Sequence, residues 1–188
     1  MKFLSFSIAL LLGCLSANAQ ENLLVNPGFE EGVPSVVNGQ KDTQGTWLAY
    51  FQGTRGGMDV EESEGVDGSC IKLNVYKAEK PVWDNYIYQN LDLTPGEYRI
   101  SFFVKADKEA EDRTAVRFSV KPKTSSYMGT FKAPFSPKKK VTTEWQQVVH
   151  TLKIAPDQTG LEGARFIIHL EEPDNTYYID NVELTKIK

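Results

Sequence analysis

Short runs in which apolar and polar positions alternate dominate this chain. Tyr86-Ile87-Tyr88-Gln89-Asn90-Leu91, Tyr98 to Val104, Ala115 to Val120 and Phe166 to Leu170 are rich in β-branched and aromatic residues. A period of two places successive side chains on opposite faces, so each run predicts a β-strand. Thr94-Pro95-Gly96, Ala155-Pro156-Asp157 and Glu172-Pro173-Asp174-Asn175 supply turn chemistry between such runs. Helical periodicity is absent over any window of about 11 residues, and Asp107 to Arg113 offers at most one short turn. Many short strands with regular turns predict an all-β, two-sheet antiparallel sandwich.

Two further segments frame this pattern. Asn22-Leu23-Leu24-Val25 reads as a first strand, followed by the tight Asn26-Pro27-Gly28 turn and the carboxylates of Glu30 and Glu31. At the other end, Tyr177 to Leu184 reads as a closing strand carrying Asp180. If the sandwich brings these ends together, Glu30 and Asp180 form a structural cation site. Glu31 is an alternative to Glu30, and the competing reading is a pair of solvated strand-end charges.

The first residues change the picture of where the protein acts. Met1-Lys2, an apolar run from Phe3 to Leu15 and Ser16-Ala17-Asn18-Ala19 make a secretory signal over 1–19, cleaved after Ala19. That run is too short for a membrane span of about 20 residues. Leu11-Leu12-Gly13-Cys14 is the competing reading, a lipoprotein box that would anchor the chain through acylated Cys14. Both readings place the protein outside the cytoplasm, secreted, periplasmic or on the cell surface of a bacterial envelope. The remaining module, 20–188, is of single-domain size and holds one cysteine, Cys70, so an internal disulfide is excluded. Cys70 alternates with Ile71, Leu73 and Val75 and reads as a small core residue.

Charge then narrows the partners. The whole chain has 21 basic and 25 acidic side chains, and loss of Lys2 with the leader leaves a net charge of −5. A basic stripe suited to nucleic acid is missing; Lys138-Lys139-Lys140 reads as a solvated loop. The stretch from Lys121 to Thr143, with three prolines and Tyr127, Phe131 and Phe135, is a long connection of the kind that serves function or cover.

The ordered set Asn22-Leu23-Leu24-Val25-Asn26-Pro27-Gly28-Phe29-Glu30, Trp47, Gly68-Ser69, Trp83, Tyr88-Gln89, Leu93-Thr94-Pro95-Gly96-Glu97-Tyr98, Lys105-Ala106, Thr143-Glu144-Trp145-Gln146 and Tyr178-Ile179-Asp180 resembles the family 4/9/22 carbohydrate-binding modules. The resemblance covers nearly all of the module. It implies a jelly roll similar to galactose-binding domains, a structural calcium ion and a glycan groove on one concave sheet. By the same resemblance, carbonyls of Gly28 and of the Asp67-Gly68-Ser69 turn would complete a calcium shell around Glu30 and Asp180. Two departures are visible: Asn181 stands where many members have a second Asp, and a catalytic domain is not attached.

A saccharide groove needs aromatic faces beside amide, guanidinium and carboxylate groups. If Phe102, Val104, Val116, Phe118, Val120, Phe166, Ile168 and Leu170 point inward, Ser101, Phe103, Arg117, Ser119, Ile167 and His169 face the other way. Around residue 85, one parity offers Trp83, Asn85, Ile87 and Gln89, the other Asp84, Tyr86 and Tyr88. The expected groove is Trp83, Asn85, Gln89, Arg117 and His169, with core roles competing for Trp83 and His169. Trp47 and Trp145 are expected in the core, and Tyr50, Phe51, Tyr127 and Phe131 are secondary candidates.

The resulting expectation is a non-catalytic binder of extracellular polysaccharide or oligosaccharide, of β-glucan or xylan type. A lyase built on Arg117, His169, Gln89 and a tyrosine, or a glycosidase built on Glu171 and Asp84, is the enzymatic alternative. His-x-x-x-His and Gly-x-Ser-x-Gly patterns are both missing. A protein-interaction module of the cell envelope is the third reading.

Overall fold

The computed structural model describes residues 20–34, 46–79, 84–112, 115–123, 131–134 and 140–188, with 131–134 as backbone. Ten strands follow in order: β1 Leu48–Phe51, β2 Gly57–Glu64, β3 Ser69–Lys77, β4 Asn85–Leu91, β5 Gly96–Ala106, β6 Val116–Lys121, β7 Phe131–Pro134, β8 Gln146–Ile154, β9 Ala164–Leu170 and β10 Asn175–Lys186. They form two five-stranded sheets with only antiparallel pairings, β1-β4-β9-β6-β7 and β2-β3-β10-β5-β8. The molecule is the expected antiparallel jelly-roll sandwich, and helix is absent among the described residues.

One core lies between the sheets. Ile71, Leu73 and Val75 of β3, Ile100, Phe102 and Val104 of β5 and Tyr177 and Ile179 of β10 face Phe118 of β6 and Phe166 and Ile168 of β9. Phe118 bridges the layers, with ring centroids 6.4 Å from both Phe102 and Phe166. These are the inward positions that alternation predicted for β5, β6 and β9. Trp47 joins this core, 4% exposed, with Phe29 at 5.4 Å and its Nε1–H donating to the Asn26 carbonyl. The outer edge strand β2 carries Glu61, Glu62 and Glu64, charges that discourage another strand from pairing there.

The two ends of the sandwich do lie side by side, but by a different device than a paired first strand. Asn22 makes one isolated bridge to Thr185. Its side chain then substitutes for a ladder, accepting from Leu184 N–H at 2.9 Å and donating to the Val182 carbonyl at 3.0 Å. Val25 is clamped from the other sheet by the Gln89 amide, which accepts its N–H at 2.9 Å and donates to its carbonyl at 3.0 Å. The expected strand over 22–25 is therefore a strap held by that single bridge, by Leu23 N–H donating to the Leu184 carbonyl at 2.9 Å and by side-chain amides.

Trp145 also departs from expectation. It precedes β8 and is only half-buried, packing edge-on to Tyr178 at 6.5 Å with Lys105 Nζ 4.9 Å from its ring. Those partners lie on the outside of the second sheet, so the indole covers that face instead of filling the core. Cys70 is fully buried as expected, and burial pushes its thiol up to about 11, away from any reactive thiolate.

Candidate functional site

The outer face of the first sheet gathers most of its aromatic and paired polar groups. Register fixes three rows. Tyr50, Tyr86, His169 and Arg117 lie opposite one another across β1, β4, β9 and β6. Leu48, Tyr88, Ile167 and Ser119 form the next row, and Asn90, Arg165 and Lys121 the third. Each row lies on the side opposite the core because its strand neighbours, such as Ile87, Phe118 and Ile168, point inward.

The tyrosines form a continuous platform. Tyr50 and Tyr86 stack at 4.9 Å and 29°, and Tyr86 lies 5.6 Å from Tyr88 and 5.7 Å from the His169 ring. Tyr88 packs with Leu48 and Ile167 as a small apolar cluster of its own. The Arg165 guanidinium sits over Tyr88 at 4.8 Å, and its Nε–H donates to Asn90 Oδ1 at 3.2 Å. Planar rings capped by a planar cation are held without freedom to rotate.

Polar groups beside the rings are largely desolvated. His169 is 2% exposed, with Nε2 2.7 Å from the Ser119 hydroxyl. Arg117 forms a close ion pair with Glu171 through both Nε and Nη2. At one end of the platform Asp84 is buried, 3.6 Å from Arg55. Burial raises the Asp84 carboxyl above its ordinary value, and the Arg55 charge opposes that shift. Asn90 Nδ2 on this face and Asn85 Oδ1 on the core side have no hydrogen-bond partner among the described residues. Buried donors and acceptors in that condition are costly. Burial likewise raises the Tyr86 phenol, so it remains a neutral donor.

The expected groove residues divide. Arg117 and His169 are direct cross-strand neighbours on this face. Asn85 and Gln89 are not on it: both are fully buried on the core side of β4, Asn85 donating to the Lys77 carbonyl and Gln89 clamping Val25. Ser101 and Phe103 belong to β5 and so to the other sheet. Trp83 and Tyr127 lie outside the described residues, as do the leader with Cys14 and Lys138-Lys139. Tyr86, Tyr88, Asn90 and Arg165, outside the expected groove set, stand on this face. The signal for the first three was Leu91, whose aliphatic side chain places positions 87 and 89 inward with it and leaves 86, 88 and 90 outside.

The acidic strand ends meet at a separate hollow of about 530 Å³, lined by residues including Pro27, Gly28, Glu30, Asp67, Gly68 and Asn181. The β10 register breaks between Asp180 and Glu183, with Asn181 at φ 48°, a bulge that buries Asp180 completely. Asp180 Oδ2 accepts Val66 N–H at 2.8 Å and Oδ1 accepts Asn181 N–H at 2.6 Å. Glu30 Oε1 accepts Ser69 N–H at 2.8 Å. A Cβ on Gly28 would lie 3.4 Å from Asn181 Oδ1, 3.7 Å from Glu30 Oε1 and 3.8 Å from Asp180 Oδ1, so three side-chain oxygens converge there. Gly68, at φ 78°, approaches Glu30 so closely that a Cβ would sit 2.2 Å from Oε1, and its carbonyl accepts Gly65 N–H. Burial raises the Asp180 carboxyl above 3.8, its backbone hydrogen bonds oppose this, and the Glu30 charge adds to it. Among the described residues no group of three His, Cys, Asp or Glu side chains forms a metal cluster. The donor set here is two carboxylates and an amide oxygen, hard oxygen donors of the type calcium takes.

A family model described as a carbohydrate binding domain matches residues 21–176. No curated protein matches the chain by sequence. Among solved structures, a putative sugar binding protein from Bacteroides thetaiotaomicron superposes with a TM-score of 0.65 at 17% identity, covering 88% of this chain and all of that one. A family 4 carbohydrate-binding module gives 0.57 at 19% identity, over 74% of this chain and 86% of its own. The xylan-binding domain CBM22-1 from Paenibacillus barcinonensis gives 0.55 at 19% identity, over 90% and 97%. At such identities these likenesses speak to the fold.

Proposed function

Because the chain belongs to the carbohydrate binding domain family, a non-catalytic class, we propose that it binds a plant-type polysaccharide, β-glucan or xylan, along the outer face of β1-β4-β9-β6-β7. The observation that carries this reading is the row Tyr50-Tyr86-His169-Arg117, stacked rings running into paired polar groups. Sugar rings lay their apolar faces on the partly exposed Tyr50 and Tyr86, while the partly exposed Arg117 and Arg165 supply donors for hydroxyls.

The test is affinity electrophoresis of the protein and of Tyr86→Ala in gels containing soluble xylan, mixed-linkage β-glucan or mannan. Retardation by xylan or β-glucan, lost in the variant with its circular dichroism unchanged, supports the reading. Equal mobility of both proteins in every gel rejects it.

The same proposal includes a structural calcium ion held by Glu30, Asp180 and Asn181. Its chemistry is charge neutralisation: a dication offsets the two carboxylates that otherwise repel across the hollow. Export by the 1–19 leader completes the reading. The intact mass of protein recovered from a bacterial envelope separates cleavage after Ala19 from acylation of Cys14.

A further inference from the structure

Across the molecule, at one end of the outer face of the second sheet, a cleft of about 370 Å³ opens between β3, the β5–β6 connection and the β9–β10 turn. We propose that it is a second saccharide-binding site, taking a short, neutral, polyhydroxylated segment around Tyr76. The inference shares the carbohydrate-binding class with the first face but does not depend on that face.

Tyr76 is 54% exposed, near the end of β3, where the pairing with β2 shifts register between Gly57 and Met58 and leaves it without a cross-strand partner. Its ring is nonetheless fixed. It lies against the backbone of Gly57, where a Cβ would come within 2.1–2.7 Å of three ring carbons. A ring seated on one side and open on the other loses little entropy when a sugar stacks on it.

The walls are equally preformed. Asp174 takes a left-handed conformation at φ 55°, which turns the chain back into β10. Asn175 then ties the two connections together: its Nδ2 donates to the Lys108 carbonyl at 3.0 Å, and its Oδ1 accepts Thr176 N–H at 2.9 Å. Asn74 and Thr176 are joined by a 2.9 Å side-chain bond, and the Asp107 carboxylate is oriented by the Tyr178 hydroxyl at 2.9 Å.

The donor and acceptor set selects the ligand. Asp107 and Asp174 bring two carboxylates against one ammonium, Lys108, a balance that disfavours anions. Carboxylate, amide and hydroxyl groups around a ring suit vicinal hydroxyls on an apolar sugar face. The size sits at the small end of ligand clefts, enough for a short stretch of a chain rather than a long groove.

Amide-resolved NMR titration of the 15N-labelled protein with cellohexaose and xylohexaose tests this. The expected result is shift changes at Asn74, Asp107 and Thr176 that follow their own binding curve. Tyr76→Ala should weaken that curve about tenfold or more, as loss of a stacking ring does for planar ligands, and leave changes at Tyr86 and His169 in place. Asp174→Asn, which keeps the left-handed turn while removing the carboxylate, should weaken the same curve without disturbing the Gly57 contact, and it decides the matter if Tyr76→Ala fails to fold. Absence of shifts at the cleft with both sugars, or an unchanged curve in the folded variants, overturns the proposal whatever the first face does. Shifts at the cleft alone would uphold it while rejecting the first-face reading.

Discussion

The two outer faces of the sandwich use similar residue types under opposite solvation. On the first sheet, Tyr88 and His169 are 2% exposed and the Arg117–Glu171 pair is largely shielded from water. On the second, Lys72 pairs with Glu61 and Arg99 with Glu183 at the surface, and Lys105 rests on Trp145 and Tyr178. Charge–charge attraction is weak where water screens it and directional where water is excluded. The lesson is that the same rings and ion pairs are dry and rigidly held on one face and screened by water on the other, so equal substitutions should have unequal effects.

Substitutions should therefore separate the faces. Arg117→Met removes the cation closely paired with the shielded Glu171 carboxylate and should destabilise the protein by about 3–5 kcal/mol, read from urea midpoints. A loss below about 1 kcal/mol would show that water reaches this pair.

The buried acid of the second sheet, Asp180, gives the next effect. In chelator, its raised carboxyl makes stability greatest at low pH and lower as pH rises past the ordinary value of 3.8. Calcium requires the ionised form, so the calcium-dependent gain should run the other way. It should be about 2.7 kcal/mol at 100-fold excess over Kd near neutrality and vanish as pH falls through the raised Asp180 range. Thermal unfolding with calcium or EDTA between pH 4 and 7 measures both slopes, and identical curves would remove the cation.

Tyr50→Ala should lower glycan affinity by about 1–3 kcal/mol in titration calorimetry, by analogy with other stacking losses. Trp145→Ala, equally aromatic but on the screened face, should change it little. Smallest of all, Lys72→Met should shift stability by about 0–1 kcal/mol. A larger loss would show that the second face is drier than its exposure suggests.

Sequence patterning read β6 and β9 well because one parity of each is aliphatic or Phe and the other, apart from Ile167, is polar. It misjudged β4, where Tyr86-Ile87-Tyr88 offers an apolar side to both faces and alternation alone cannot choose. Asn85 and Gln89 looked like ligand contacts but face the core, Asn85 donating to the Lys77 carbonyl and Gln89 holding the Val25 backbone at both its amide atoms. Those partners are distant in sequence, so nothing local announced them. The same holds at the N-terminal strap, whose apolar spelling suggests a paired strand while Asn22 and Gln89 provide most of its attachments. Convergence of Glu30 with Asp180 was legible because turn residues and carboxylates coincide at both ends. The inclusion of Asn181 depended on a bulge that no pattern encodes.

The bridge between Asn22 and Thr185 has a practical outcome. Since one end of the sandwich hydrogen-bonds to the other, a short joint between them should let the chain be reopened elsewhere, for instance at the Ala155-Pro156 turn between β8 and β9. Such a rearranged order of strands should keep the same architecture. It would also allow the module to be seated within a loop of a host protein, held at both ends like a jewel in a ring.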